Sequence, residues 1–204
     1  MIATNSQHAH PPQRVVVAHV EDRPGVLARV ASLFRRRGFN IESLTVGHSD
    51  EPGLSRMTIV VDGQSAQVQQ VERQLFKLVD VVSAIDISER PLVARELALI
   101  KVSCTPQGRR DIIALADVFR ATVVDVADAS VIVQVLGDED KVDALLRLLR
   151  PYGLLELVRT GRVAMVRGSG TSKPVPVSEI ARRAEEERAQ FGRRPDGALP
   201  FASD

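Results

Sequence analysis

Glu21-Asp22-Arg23-Pro24-Gly25-Val26 is the stretch whose residue types and spacing suit a small charged ligand. A β-branched run ends there and an amphipathic helix begins. Backbone N–H groups without intrahelical acceptors therefore gather at the positive end of a helix dipole, which favours a small carboxylate. Gly25 has no Cβ, so a ligand can approach its backbone closely. The same string is ordinary tight-turn chemistry, and pattern alone fits both readings equally.

No other set of side chains has the spacing of a catalytic centre. A nucleophile needs a partnered base. Cys104, at the end of a predicted strand, reads as a small buried hydrophobe. His19 and His48 fall in the first strand and at the end of the second, without metal-ligand spacing, and His8 and His10 fall in a polar N-terminal stretch. No P-loop, G-x-G-x-x-G or H-E-x-x-H string occurs. A single cysteine excludes an intramolecular disulfide and any multi-cysteine metal site. The chemistry suggested is binding, not catalysis.

The elements that must position this turn follow from periodicity. Val15-Val16-Val17-Ala18-His19-Val20 suits a largely buried strand. Asp22 can cap the helix that follows, and Pro24 is tolerated near its start. Leu27, Val30, Leu33 and Phe34 form a helical stripe, Arg35-Arg36-Arg37 complements the helix's negative end, and Gly38 stops it. Strands over Asn40–Val46 and Leu54–Val61 flank the loop Asp50-Glu51-Pro52-Gly53. A helix through Val68, Val71, Leu75 and Leu78 and a strand over Val81–Ile87 complete a β-α-β-β-α-β unit.

The order then repeats: a strand through Leu97, Leu99 and Val102, a helix through Ile112, Leu115, Ala116 and Phe119, and strands at Val123–Val126 and Val131–Leu136. A helix through Val142, Leu145, Leu146 and Leu149 leads to a strand at Leu154–Val158, which Val163–Met165 is expected to extend. The fold class is α+β, two tandem ferredoxin-like units joined near Pro91. Residues 1–13 form a flexible N-terminus, 14–90 the first unit, 91–167 the second, and 168–204 a mobile tail with a short helix over 178–191. Because the break falls at a linker, a chain cut after Glu89 is expected to keep a complete first core.

Composition narrows the function classes. The 204 residues carry 27 Lys+Arg against 26 Asp+Glu, a net charge of +1, which offers no general attraction to phosphate backbones or anionic membranes. Aromatics make up 3%, too few for base-stacking surfaces. No run reaches the ~18 apolar residues of a membrane helix, and the polar start lacks a signal-peptide core. The expectation is a cytoplasmic protein without nucleic-acid or membrane partners.

Asp22-Arg23-Pro24-Gly25-Val26-Leu27-Ala28-Arg29-Val30 resembles the loop and helix of amino-acid-binding ACT domains. Together with Arg37-Gly38-Phe39-Asn40-Ile41-Glu42-Ser43-Leu44-Thr45-Val46 and Leu54-Ser55-Arg56-Met57-Thr58-Ile59, it is similar to the small, regulatory subunits of acetolactate synthase (acetohydroxyacid synthase). The resemblance continues through Arg95–Val102, Val123–Val126 and Arg159-Thr160-Gly161 and fades beyond Gly168. It implies that the first unit is an ACT domain that pairs side by side with a second copy. It implies no catalytic residues here, but a thiamine-diphosphate-dependent catalytic subunit as partner, made more active and sensitive to valine or another branched-chain amino acid. The effector contacts carried over are Asp22, Arg23, Pro24, Gly25 and Val26 of one chain and Asn40 and Ile41 of the other. Thiamine diphosphate, Mg²⁺ and FAD belong to the catalytic subunit, with no cofactor on this chain. Bacterial relatives usually have Asn in place of Asp22, and ionised Asp can only accept hydrogen bonds. A stand-alone tandem-ACT sensor is the rival reading. It would be expected to repeat the Pro-Gly turn, where this chain has Thr105-Pro106-Gln107-Gly108.

Overall fold

The valine-rich run of the first strand is buried along its whole length because both of its faces are covered. A computed structural model describes residues 13–63 and 65–172. Its elements are β1 (Gln13–Glu21), α1 (Val26–Arg37), β2 (Ile41–His48), β3 (Leu54–Asp62), α2 (Ser65–Leu75), β4 (Val81–Asp86), β5 (Leu92–Ser103), α3 (Pro106–Val118), β6 (Thr122–Val126), β7 (Ser130–Gly137), α4 (Glu139–Leu149), β8 (Leu154–Arg159) and β9 (Val163–Val166). The first sheet runs β2-β3-β1-β4 and the second β6-β7-β5-β8, antiparallel throughout. Two ferredoxin-like units in tandem are thus present. Residues 173–204, with the helix expected over 178–191, and residues 1–12 lie outside the described residues.

On one face of the first sheet, Val16, Ala18, Val20, Met57, Ile59 and Val61 pack under Val26, Val30, Leu33 and Phe34 of α1 and Val71 and Leu75 of α2. Helix α1 stops at Gly38 in the left-handed region (φ 70), where the Gly38 N–H donates to Arg35 O and the Phe39 N–H to Phe34 O. The second unit repeats the arrangement around Ala98, Ile100, Val102, Ile112, Val133, Leu145 and Leu149, with Cys104 inside.

The other face of the first sheet shows why the halves are not independent. Val163–Val166 extends β8 along β5, as the sequence suggested. The chain kinks at Gly161 (φ +81) but keeps its direction, and β9 pairs antiparallel with Leu92–Arg95, the first third of the long β5, as β8 pairs with Ala98–Val102. This ribbon lies across the back of the first sheet, where Ala164 and Val166 join Val15, Val17, Val60 and Ile87 in one apolar cluster. Arg56 of β3 reaches into the ribbon and donates to the Ala164 carbonyl (2.6 Å) and Ser172 Oγ (2.8 Å). Burial pushes the Arg56 pKa down, an effect opposed by the Asp50 carboxylate. A chain cut after Glu89 would therefore bare Val15, Val17 and Val60, so the first core is not complete without the second half. Gln13 likewise belongs to β1 and not to a separate terminus.

The helix layer is tied to the sheet edge by Arg29. Its Nη2 donates to Asp80 Oδ1 (3.0 Å), and its Nε lies 2.7 Å from Oδ2 in an ion pair whose angle falls short of a hydrogen bond. The Asp80 side chain is 7% exposed against 50% for Arg29. The Asp80 carbonyl accepts from the Glu21 N–H, which fixes the start of the turn at Asp22.

Two outcomes follow from this packing. Val166→Asp sets an unpaired carboxylate against Val15 and Val17, at a cost on the order of 3 kcal/mol. Calorimetry of the full-length variant should show both halves melting earlier in one transition, whereas an unshifted first-half transition would contradict the shared cluster. Arg29→Met should cost about 2 kcal/mol by stranding the buried Asp80 carboxylate. Adding Asp80→Asn should recover at least half of that in urea titrations; additive losses would show the pair is not coupled.

Candidate functional site

The chain leaves β1 at Glu21 and turns sharply before α1. The Asp22 N–H donates to Gly53 O (2.9 Å) and the Arg23 N–H to Glu21 O (3.0 Å), so the turn is pinned to the β2–β3 loop. Gly25 is the N-cap of α1 at φ 86, ψ −8, a left-handed conformation that glycine adopts without strain. The sequence made Asp22 a candidate cap. The structure corrects this: no side chain caps α1, and its first turn holds no acidic residue. The left-handed Gly25 sets residue 22 outside the helix, and the Asp22 carboxylate instead lies 3.2 Å from His48 Nδ1.

The other helix starts with described caps are closed. Thr105 Oγ1 accepts from the Gly108 N–H at the start of α3 (3.1 Å), and Asp138 Oδ1 accepts from the Lys141 N–H at the start of α4 (3.0 Å). Glu139 and Asp140 add negative charge to the first turn of α4. Only α1 among these has a first turn with neither a capping side chain nor a carboxylate; its Val26 N–H donates to Arg23 O (3.4 Å). Such an end can receive the carboxylate of a small ligand. The second unit's corresponding turn, at Thr105, is already filled by its own hydroxyl.

Asp22, Arg23, Pro24, Gly25 and Val26 are contiguous at one end of the sheet. Asn40 and Ile41 are at the other. Ile41 pairs with Val61 near the end of β3, and His48 pairs with Ser55 near its start. Seven strand steps of about 3.4 Å put roughly 24 Å between the two ends of β2. Asn40 Nδ2 donates to Glu42 Oε1 (2.7 Å) and Asp62 Oδ2 (3.3 Å). One chain therefore does not bring the seven residues together. His48 is the residue that sequence reasoning left without a role; it joins the far end of β2 to the Asp22 turn.

Other residues considered on sequence have structural surroundings. His19 is buried with Nδ1 3.0 Å from Ser83 Oγ, and Cys104 is buried in the second core. Among the described residues, no group of three or more His, Cys, Asp or Glu could hold a metal, and no helix is long and apolar enough to cross a membrane.

The chain is similar to known proteins over most of the described residues. Residues 17–83 match the family model of the acetohydroxyacid synthase small-subunit-like ACT domain, and residues 95–168 match that of the small subunit of acetolactate synthase. The chain is 54% identical over 157 residues to a probable acetolactate synthase small subunit of Archaeoglobus fulgidus, covering 77% of this chain and 98% of that one. It is 46% identical to the acetolactate synthase small subunit of Bacillus subtilis, over 77% of this chain and 92% of the relative. The crystal structure of the acetolactate synthase small subunit of Thermotoga maritima superposes with a TM-score of 0.73 at 41% identity, covering 78% of this chain and 99% of that one. The first unit is an ACT domain, and the chain belongs to the acetolactate synthase small-subunit family.

Proposed function

We propose that this chain is the regulatory subunit of acetolactate synthase. It raises the activity of a thiamine-diphosphate-dependent catalytic subunit and makes that subunit sensitive to feedback by valine or a related branched-chain amino acid. It has no catalytic residues of its own. Thiamine diphosphate, Mg²⁺ and FAD reside on the catalytic subunit, and the assembly works in the cytoplasm.

The observation that carries the reading is the split arrangement of the site along β2. This strand is an edge of its sheet and pairs only with β3 among the described strands. Open edges invite pairing with another chain. If two copies pair β2 to β2 antiparallel about a two-fold axis, the Ile41 end of one meets the His48 end of the other. His48 contacts Asp22, so Asn40 and Ile41 of one chain then face the Asp22–Val26 turn of its partner. A branched-chain amino acid fits there with its carboxylate on the open α1 amides and its ammonium toward Asp22. The stand-alone sensor reading is weaker, because the Thr105 turn has no open amides to offer.

Gly25→Asp tests the site. Aspartate tolerates the left-handed backbone at a cost of about 1 kcal/mol, so the fold survives. Its carboxylate opposes the effector's: like charges ~4 Å apart at an effective dielectric of about 20 repel by roughly 4 kcal/mol. A third of that weakens binding about tenfold. With the catalytic subunit held fixed, the variant should still activate but lose inhibition by valine. Asp22→Asn, which removes the charge facing the effector's ammonium, should weaken valine binding. An unchanged valine curve in Gly25→Asp would place the effector elsewhere.

A further inference from the structure

The turn Thr160-Gly161-Arg162, between β8 and β9, touches the first unit at the strand on which the proposed effector site depends. The Arg162 N–H donates to Ser43 Oγ (2.9 Å). Thr45 Oγ1 lies 3.4 Å from Thr160 O and 3.3 Å from Arg162 O and donates to them. Gly161 brings bare backbone against these hydroxyls: a Cβ there would collide with Ser43 Oγ and lie 3.2 Å from Thr45 Oγ1. At φ +81 the position also strains any L side chain.

The turn is fastened on its other side to the second unit. The Thr160 N–H donates to Leu97 O (3.0 Å), and the Leu97 N–H donates to Thr160 Oγ1 (3.1 Å). Arg159 pairs with Glu96 of β5 and with Asp143 of α4 (2.8 Å). Burial works against the Arg159 charge, but the hydrogen bonds and charges of Glu96 and Asp143 outweigh it and raise its pKa. Arg162 pairs with Glu139 at the start of α4 and reaches Gln13 of β1 (2.9 Å). The turn is thus rigid with respect to β5 and α4.

The strand it grips is irregular. The β2–β3 register shifts between Ile41 and Ser43, leaving Glu42 in a bulge directly after the Asn40-Ile41 pair. A bulge bends and re-aims a strand at small cost. Beside it lies a polar cavity of about 430 Å³ lined by Glu42, Ser43, Glu96, Arg159 and Arg162, which leaves room for the strand to shift.

We infer that the Thr160-Gly161-Arg162 turn is the coupling element that transmits effector occupancy at Asn40-Ile41 to the second half of the chain. This rests on the proposed effector site. A ligand that pulls on the start of β2 alters the geometry of Ser43 and Thr45, two and four residues beyond Ile41. Those hydroxyls have their partners on a turn fixed to β5 and α4. An effector can drive such a change only by binding one position of β2 more tightly than another.

Two variants of the full-length chain test this, Ser43→Ala/Thr45→Val, which removes the hydroxyls without adding bulk, and Gly161→Ala, which forces the turn off the strand. Valine binding to the free small subunit is read by calorimetry, and valine inhibition is read after reconstitution with the catalytic subunit. Both variants should bind valine within about threefold of the parent and activate normally without valine. Both should need at least tenfold more valine for inhibition. Unchanged inhibition in the hydroxyl-free variant overturns the inference alone, as does loss of valine binding together with inhibition, which would put these residues in the site itself. A parent chain that binds no valine overturns the proposed function and the inference with it.

Discussion

The structure depends on the burial of β1 from both sides. A ferredoxin-like sheet normally covers one face with helices and leaves the other open. Here Val16, Ala18 and Val20 face α1 and α2, while Val15 and Val17 face the ribbon of β5 and β9. Each fully buried valine is worth about 1.5–3 kcal/mol relative to exposure, so the ribbon cannot lift away cheaply. This constraint makes β5 longer than its counterpart β1, at 12 residues against 9. Its first third belongs to the first unit's core and the rest to the second's.

From this follows the placement of everything that bears on function. β8 and β9 follow one another along β5, and the kink between them, at Gly161, lies against β2. The edge strand β2 therefore has one face on the second half, while its outer edge stays available to another chain. Its two ends carry the two parts of the candidate site, the Asn40-Ile41 pair and, through His48, the Asp22 turn. Regulation by a small molecule needs differential contacts in two states of the protein. A strand held between a second domain and, in the proposed dimer, a partner chain is where a small ligand has most leverage.

Much of the fold was legible in the residues. The run Val15–Val20, β-branched at four of its six positions, read as a largely buried strand, and the Arg35-Arg36-Arg37-Gly38 ending of α1 is as its residue types require. The turn at Gly25 was legible as a turn from its residue types, which fit a ligand site and a plain tight turn equally. The ribbon was not. Leu92-Val93-Ala94-Arg95 has weak alternation, and its partner Val163–Val166 lies some seventy residues away, so no local signal marks the pair. The capping role given to Asp22 failed because a left-handed Gly25 cannot be read from spacing. The contact between Asp22 and His48 escaped for the same reason as the ribbon, since both groups sit at strand ends that only the folded sheet brings together. The division of the site between two ends of one strand likewise needed the register of β2 on β3.

The central claim is that each effector site is built from the Gly25 turn of one chain and the Asn40-Ile41 pair of its partner. Mixing chains tests it directly. Small subunits carrying Gly25→Asp and small subunits carrying Asn40→Ala are co-expressed with distinct tags, and the doubly tagged heterodimer is isolated. Valine binding is then measured by titration calorimetry. A site shared between chains leaves one site in the heterodimer free of both defects, so one valine per heterodimer should bind with the parent's affinity. If each site lay within a single chain, every site would carry one defect. A heterodimer with no site of parental affinity, from parents that each bind weakly, would contradict the account.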